Sequence, residues 1–133
     1  MTVVHHELCF GCGLANLFGL QLEVEPDGEG RVAGRFFVKQ DHQGPPGYAH
    51  GGITATALDE AMALLVHHAG IHAFTRRLEV DLLGPVPVGS FGHVSAWIDH
   101  DDGRVLRLGS ELRGESAGGP VLARAAGIFV RVE

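Results

Sequence analysis

Apolar and polar positions alternate along most of this chain, with one long interruption. Leu20, Leu22 and Val24 alternate with Gln21 and Glu23, the period of a strand with one buried face. Pro26-Asp27-Gly28 supplies turn chemistry, and Arg31 to Val38 reads as a second strand, so the two form a hairpin. Asp41 to Gly52 reads as a loop centred on Gly44-Pro45-Pro46-Gly47. The interruption follows: Ile53 to Ala69 holds neither Gly nor Pro and is rich in Ala, Leu and Met, which predicts a helix. At 100° per residue, Thr56, Asp59, Glu60 and His67 share one sector and the rest of the surface is mostly apolar, so this helix must be largely buried. Gly70 is placed to end it. Four more strands are predicted, over Phe74 to Leu83, Ser90 to His100, Val105 to Arg113 and Val121 to Val132.

The order β-β-α-β-β-β-β implies an α+β fold, in which a curved antiparallel sheet of about six strands wraps one long helix. Such a sheet has two edges and an outer face to manage. Pairing of edge strands in a symmetric dimer is one solution, so a homodimer is expected.

The 133 residues fit one domain, spanning 1–133, and can bury a core without disulfides. Apolar residues make up 45% and charged residues 20%, a globular composition. A net charge of −6 argues against a general nucleic-acid binder. No apolar run reaches the length of a membrane span, and the N-terminus lacks the features of a signal peptide, so the cytoplasm is the expected location.

The chemistry-bearing stretch is Tyr48-Ala49-His50-Gly51-Gly52 running into the helix. A glycine pair at a helix start exposes N–H groups that the helix cannot satisfy itself. Those donors and the helix dipole favour an oxygen carrying negative charge, as a thioester carbonyl does when attacked. His50 sits just outside, where it can position an acyl group or donate a hydrogen bond. Asp59 lies in a helix that wants to be buried, and burying a carboxylate costs free energy unless it has a use as nucleophile or general base. Glu60 is rotated by 100° from Asp59, so the two cannot face one pocket equally.

His50-Gly51-Gly52 with an acid nine positions after the His resembles the hotdog thioesterase superfamily, most nearly its PaaI-like branch and the 4-hydroxybenzoyl-CoA thioesterases. Thr75, sixteen residues past Asp59, matches the family's hydroxyl at the next strand start. Cys9-Phe10-Gly11-Cys12-Gly13 with Asn16 and Gly19-Leu20 resembles the opening of one subgroup, and Gly84-Pro85-Val86-Pro87-Val88-Gly89 the family's turn after that strand. The resemblance implies hydrolysis of an acyl-CoA to free acid and CoA. In it, Asp59 is the nucleophile or base, Gly51 or Gly52 polarises the carbonyl, His50 positions the acyl group and Thr75 holds the water. It further implies a homodimer or dimer of dimers, with His-Gly-Gly of one subunit meeting Asp59 of another, and no metal or redox cofactor; coenzyme A is part of the substrate.

Other residues carry weaker readings. Asn16 and Thr56 are candidates for substrate contact. Strand alternation sends Arg76 and Arg77 to opposite faces, where one can meet CoA phosphates. Cys9 and Cys12 supply half of a structural zinc site, which normally needs four ligands, and the adjacent His5 and His6 would be awkward ligands together, so reduced thiols in a loop near the acyl pocket are expected instead. Two other functions fit the same fold. One is a domain that binds acyl-CoA without turnover. The other is an acyl-thioester dehydratase or hydratase, whose motifs are absent or, at His42-Gln43-Gly44-Pro45-Pro46, too far from Asp59.

Overall fold

The computed structural model describes residues 2–132. The strands are β1 (Glu23–Pro26), β2 (Arg31–Phe37), β3 (Ala73–Leu82), β4 (Phe91–Asp101), β5 (Val105–Arg113) and β6 (Val121–Arg131); the one long helix is α1 (Gly51–His68). All strand pairs are antiparallel, in one sheet of order β1-β2-β4-β5-β6-β3. The curved sheet packs on α1, the α+β arrangement that the apolar pattern predicts.

The core lies between helix and sheet. Ala57, Leu58, Ala61, Met62, Leu64, Leu65 and Val66 of α1 are buried against Val32, Phe36, Val94, Leu108, Leu112 and Phe129 of the strands. Gly127 permits this contact, because a Cβ there would stand 2.9 Å from Met62 Cε. Ser110, fully buried on β5, donates its hydroxyl to the Leu58 carbonyl at 3.2 Å and adds one polar tie between the layers.

The first predicted strand is displaced. Leu20, Leu22 and Val24 are buried as their alternation requires, yet the ladder begins only at Glu23. Upstream, the Leu20 and Leu22 N–H groups donate to Phe10 and Gly11 carbonyls, and Gln21 takes φ 52°. The N-terminal loop thus captures the backbone that a longer β1 would have used.

His42 is 1% exposed in a short 3-10 turn, Gln40–His42. Its Nδ1 accepts from the Lys39 N–H at 3.1 Å, so Nε2 carries the proton and donates to the Gly19 carbonyl at 3.1 Å. Burial lowers its pKa and keeps the ring neutral. That ring is occupied in joining the loop before α1 to the N-terminal segment.

Candidate active site

The helix start is built by its capping residue. His50 is the N-cap, in extended conformation at φ −62° and ψ 139°, and its Nδ1 accepts from the Gly52 N–H at 2.8 Å. One of the two glycine donors is therefore occupied. The Gly51 N–H has no acceptor among the described residues. A Cβ on Gly51 would lie 2.9 Å from Leu82 Cδ1, so the chain passes close to β3 here.

Asp59 lies eight residues further along α1. Its Oδ1 accepts a 2.7 Å hydrogen bond from Thr75 Oγ1 at the start of β3. Burial raises the Asp59 pKa above the ordinary value of 3.8, and the Thr75 hydrogen bond offsets part of that rise. Oδ2 is left for another partner. Glu60 turns away to His5, as the 100° step requires.

A β-bulge makes the Asp59–Thr75 contact possible. Thr75 stands opposite Phe129 and Arg77 opposite Ile128, so Arg76 is an extra residue. Beyond it, Leu78, Val80 and Leu82 stand opposite Gly127, Ala125 and Ala123, on the helix side of the sheet. Without the extra residue, Thr75 and these three apolar side chains would lie on opposite faces. The bulge also overturns the expected separation of Arg76 and Arg77. Both fall on the outer side, where Arg77 pairs with Glu79 at 2.8 Å and Arg76 has no partner among the described residues.

A cleft of about 310 Å³ runs beside Thr75, lined by Ala63, Val66, His67, Ile71, Phe74 and Phe129 among others. His5 and His72 share this lining with the apolar side chains. A larger hollow of about 810 Å³ on the outer face, lined by residues such as Glu23, Arg35, His93 and Glu111, contains no candidate site residue. Of the side chains expected to set pocket depth, Phe74 lines the cleft, whereas Met62 and Leu65 are core residues and Trp97 lies across Gly109.

The structure does not bring every candidate to this site. The Thr56 hydroxyl donates to the Gly52 carbonyl within the helix at 2.8 Å. Asn16 is committed to its own loop, donating to the Leu8 carbonyl and accepting from the Phe18 N–H. Cys9 and Cys12 are reduced; they meet His5 and Glu60, and His5 in turn lines the cleft beside Thr75.

Residues 46–118, more than half of the chain, match the family model described as Thioesterase superfamily. The chain belongs to this superfamily. Among curated proteins it is similar to acyl-coenzyme A thioesterase THEM5 of Mus musculus, 27% identical over 93 residues, which is 68% of this chain and 36% of that protein. The Homo sapiens THEM5 is 28% identical over the same extent. The chain spans about a third of the length of these curated relatives. Among solved structures, the thioesterase superfamily protein RHA08564 matches with TM-score 0.81 and 26% identity, over 96% of this chain and 64% of that one. The Escherichia coli PaaI protein of the phenylacetic acid degradation operon matches with TM-score 0.78 and 19% identity, over 86% and 81% of the two chains. The family model bears out the expected thioesterase superfamily, and the structural likenesses bear out the hotdog fold.

Proposed function

We propose that this thioesterase-superfamily chain hydrolyses an acyl-CoA thioester, with Asp59 as general base for the attacking water. The observation that carries this reading is the half-buried Asp59 carboxylate, with Thr75 on Oδ1 and Oδ2 left for water. A water there donates one hydrogen to Oδ2 and the other to a Thr75 lone pair, which aims its oxygen at the thioester carbon. As the C–O bond forms, Asp59 takes the water proton, and the carbonyl oxygen gains charge that the Gly51 N–H stabilises. As the carbonyl re-forms the C–S bond breaks, and the proton held by Asp59 passes to the departing sulfur, releasing CoA thiol and free acid and restoring the carboxylate.

The helix geometry supports a site shared between two subunits. Gly51 and Asp59 are eight residues apart, about 12 Å along the axis at 1.5 Å per residue. One thioester carbonyl cannot reach both. In this reading the Gly51 amide of one copy serves the Asp59 of another, and β3 is the candidate edge for association. It is an edge strand with Phe74 at 70% exposure and Leu82 at 57%.

Three solved structures support the substrate class and the pair of residues. A Streptococcus pneumoniae hypothetical thioesterase, with TM-score 0.77 and 18% identity, was solved with coenzyme A. The same hypothetical thioesterase was solved as an Asp-to-Ala mutant and as a Thr-to-Ala mutant, and the spacing of those two positions equals that of Asp59 and Thr75. The test is thiol release from a panel of aryl and alkyl acyl-CoAs. Asp59→Asn is expected to lower the rate by about 10²–10⁴-fold. Full activity in Asp59→Asn, or tight acyl-CoA binding with no thiol release by the wild type, sinks the proposal.

A further inference from the structure

The N-terminal loop and α1 place four metal-ligating groups together beside the cleft, whose lining His5 shares with Thr75. His5 Nδ1, Cys9 Sγ, Cys12 Sγ and a Glu60 carboxylate oxygen all lie within 4.8 Å of one another. His5 Nδ1 is 2.9 Å from Glu60 Oε2, 3.9 Å from Cys9 Sγ and 3.6 Å from Cys12 Sγ; Cys9 Sγ is 3.4 Å from Glu60 Oε2. A tetrahedral zinc ion with bonds of about 2.0–2.3 Å separates its ligand atoms by about 3.3–3.8 Å, close to these distances. The groups are sheltered: Cys12 is fully buried, and the Glu60 side chain is 12% exposed.

The backbone around the cluster is shaped for it. A Cβ on Gly11 would lie 2.4 Å from Glu60 Cγ and Cδ, so only glycine lets the loop between the cysteines close over that carboxylate. A Cβ on Gly13 would lie 2.2 Å from the Glu7 carbonyl, and the Gly13 N–H closes the loop onto the Cys9 carbonyl at 2.8 Å. The His5 N–H donates to Cys12 Sγ at 3.2 Å, an outer contact that orients a ligating thiolate. A Cys-x-x-Cys pair alone supplies half a site, and His5 from upstream and Glu60 from the helix complete it.

We propose that His5, Cys9, Cys12 and Glu60 form a structural zinc site that clamps the N-terminal loop to α1, one residue from Asp59. Two thiolates, one imidazole and one carboxylate match the borderline-soft ligand preference of Zn(II). Four protein ligands leave no open position, so the ion binds no substrate and activates no water. Zinc binding displaces the thiol protons and leaves His5 neutral.

The site is tested on the full chain, kept reduced and free of chelators. Elemental analysis after incubation with Zn(II) and desalting is expected to give one zinc per chain. Substitution with Co(II) is expected to give thiolate-to-metal charge-transfer absorption and the intense visible bands of a tetrahedral site. Outer-sphere partners of a metal are worth about 10–100-fold in affinity, so losing a ligand in Cys12→Ser or Glu60→Gln should weaken Zn(II) binding by at least about 100-fold. Glu60→Gln retains the shape of the side chain and serves as the reading if Cys12→Ser does not fold. Absence of zinc from the reduced wild type, or unchanged stoichiometry and affinity in folded Glu60→Gln, overturns the proposal. So does a Co(II) spectrum without thiolate charge transfer. None of these readouts depends on thioesterase activity.

Discussion

At the scale of single residues, Asp59 is held in a state that favours its neutral form. Its pKa is raised by burial, so the folded chain binds its proton more tightly than the unfolded chain does. Between the ordinary value of 3.8 and the raised folded value, stability falls as pH rises, and at neutral pH the ionised carboxylate is a net cost. Asp59→Asn removes that charge and still accepts from Thr75. It is expected to raise stability at pH 7 by about 0.5–2 kcal/mol while lowering activity, the trade of stability for function common at active sites. Urea denaturation of the two proteins checks this, and a less stable Asp59→Asn would contradict it. For a base, the rate grows as the carboxylate ionises, so the acid limb of kcat/KM should lie above 3.8. Thr75→Ala removes a hydrogen bond to a charged group, about 1.5–3 kcal/mol or about 10–100-fold in kcat, whereas Thr75→Ser restores most of the loss. Equal loss in both variants would mean that the hydroxyl is not the operative group. The chain order alone identifies Asp59 and Thr75, because a helix and a family spacing locate them. Their hydrogen bond was not legible there, since it depends on the extra residue Arg76 in a bulge that no alternation pattern marks.

At the scale of elements, legibility follows the source of each element's order. Strand β5 lies where its alternation predicts, over Val105–Arg113, because its partners on both sides are long strands with the same period. The end of α1 at His68 agrees with Gly70 at φ 76°. The predicted strand at Leu20 failed where the competing partner was a loop, since hydrogen bonds to Phe10 and Gly11 are long-range and have no period. The fourth ligand of the proposed zinc site escaped for the same reason: Glu60 is 51 residues from Cys9, and only packing of the loop on α1 brings them together. His42 is a further tertiary contact with a measurable consequence. Its folded pKa is lowered by burial, with Lys39 lowering it further and Asp41 and the Gly19 contact opposing. A depressed histidine contributes stability that is present above its unfolded pKa and lost as pH falls below 6.5. Wild-type stability is therefore expected to fall between pH 6.5 and 5.5, with a His42 share of up to about 1.4 kcal/mol per pH unit. His42→Gln should lose that share of the slope, although it is less stable at pH 7.5 by about 1–2 kcal/mol for its imperfect hydrogen bonds. Urea unfolding at both pH values for both proteins decides it; an identical slope would place the pH sensitivity elsewhere.

At the scale of the whole molecule, the separation of Gly51 from Asp59 turns the subunit arrangement into an activity measurement. Gly51 is the first residue of α1, the position where proline is tolerated because its missing N–H has no helical acceptor. His50 before it already has ψ 139°, within the range that a following proline permits. The one near contact for a new side chain is the flexible end of Leu82. Gly51→Pro thus deletes the proposed oxyanion donor and keeps the helix start, and a loss of about 10²–10³-fold in kcat is expected. In a two-fold dimer with composite sites, each site takes Gly51 from one copy and Asp59 from the other. A heterodimer of Gly51→Pro with Asp59→Asn then contains one doubly damaged site and one intact site. When the two inactive proteins are unfolded together, mixed equally and refolded, half of the dimers are mixed and half of their sites are intact. Activity should return to about a quarter of the wild-type value for such statistical pairing in a two-fold dimer. If both groups served a site within one chain, every site in the mixture would carry a defect and no activity would return. The mixture therefore separates an intersubunit site from an intrachain one without knowledge of the natural acyl group, because any turned-over thioester from the panel reports it.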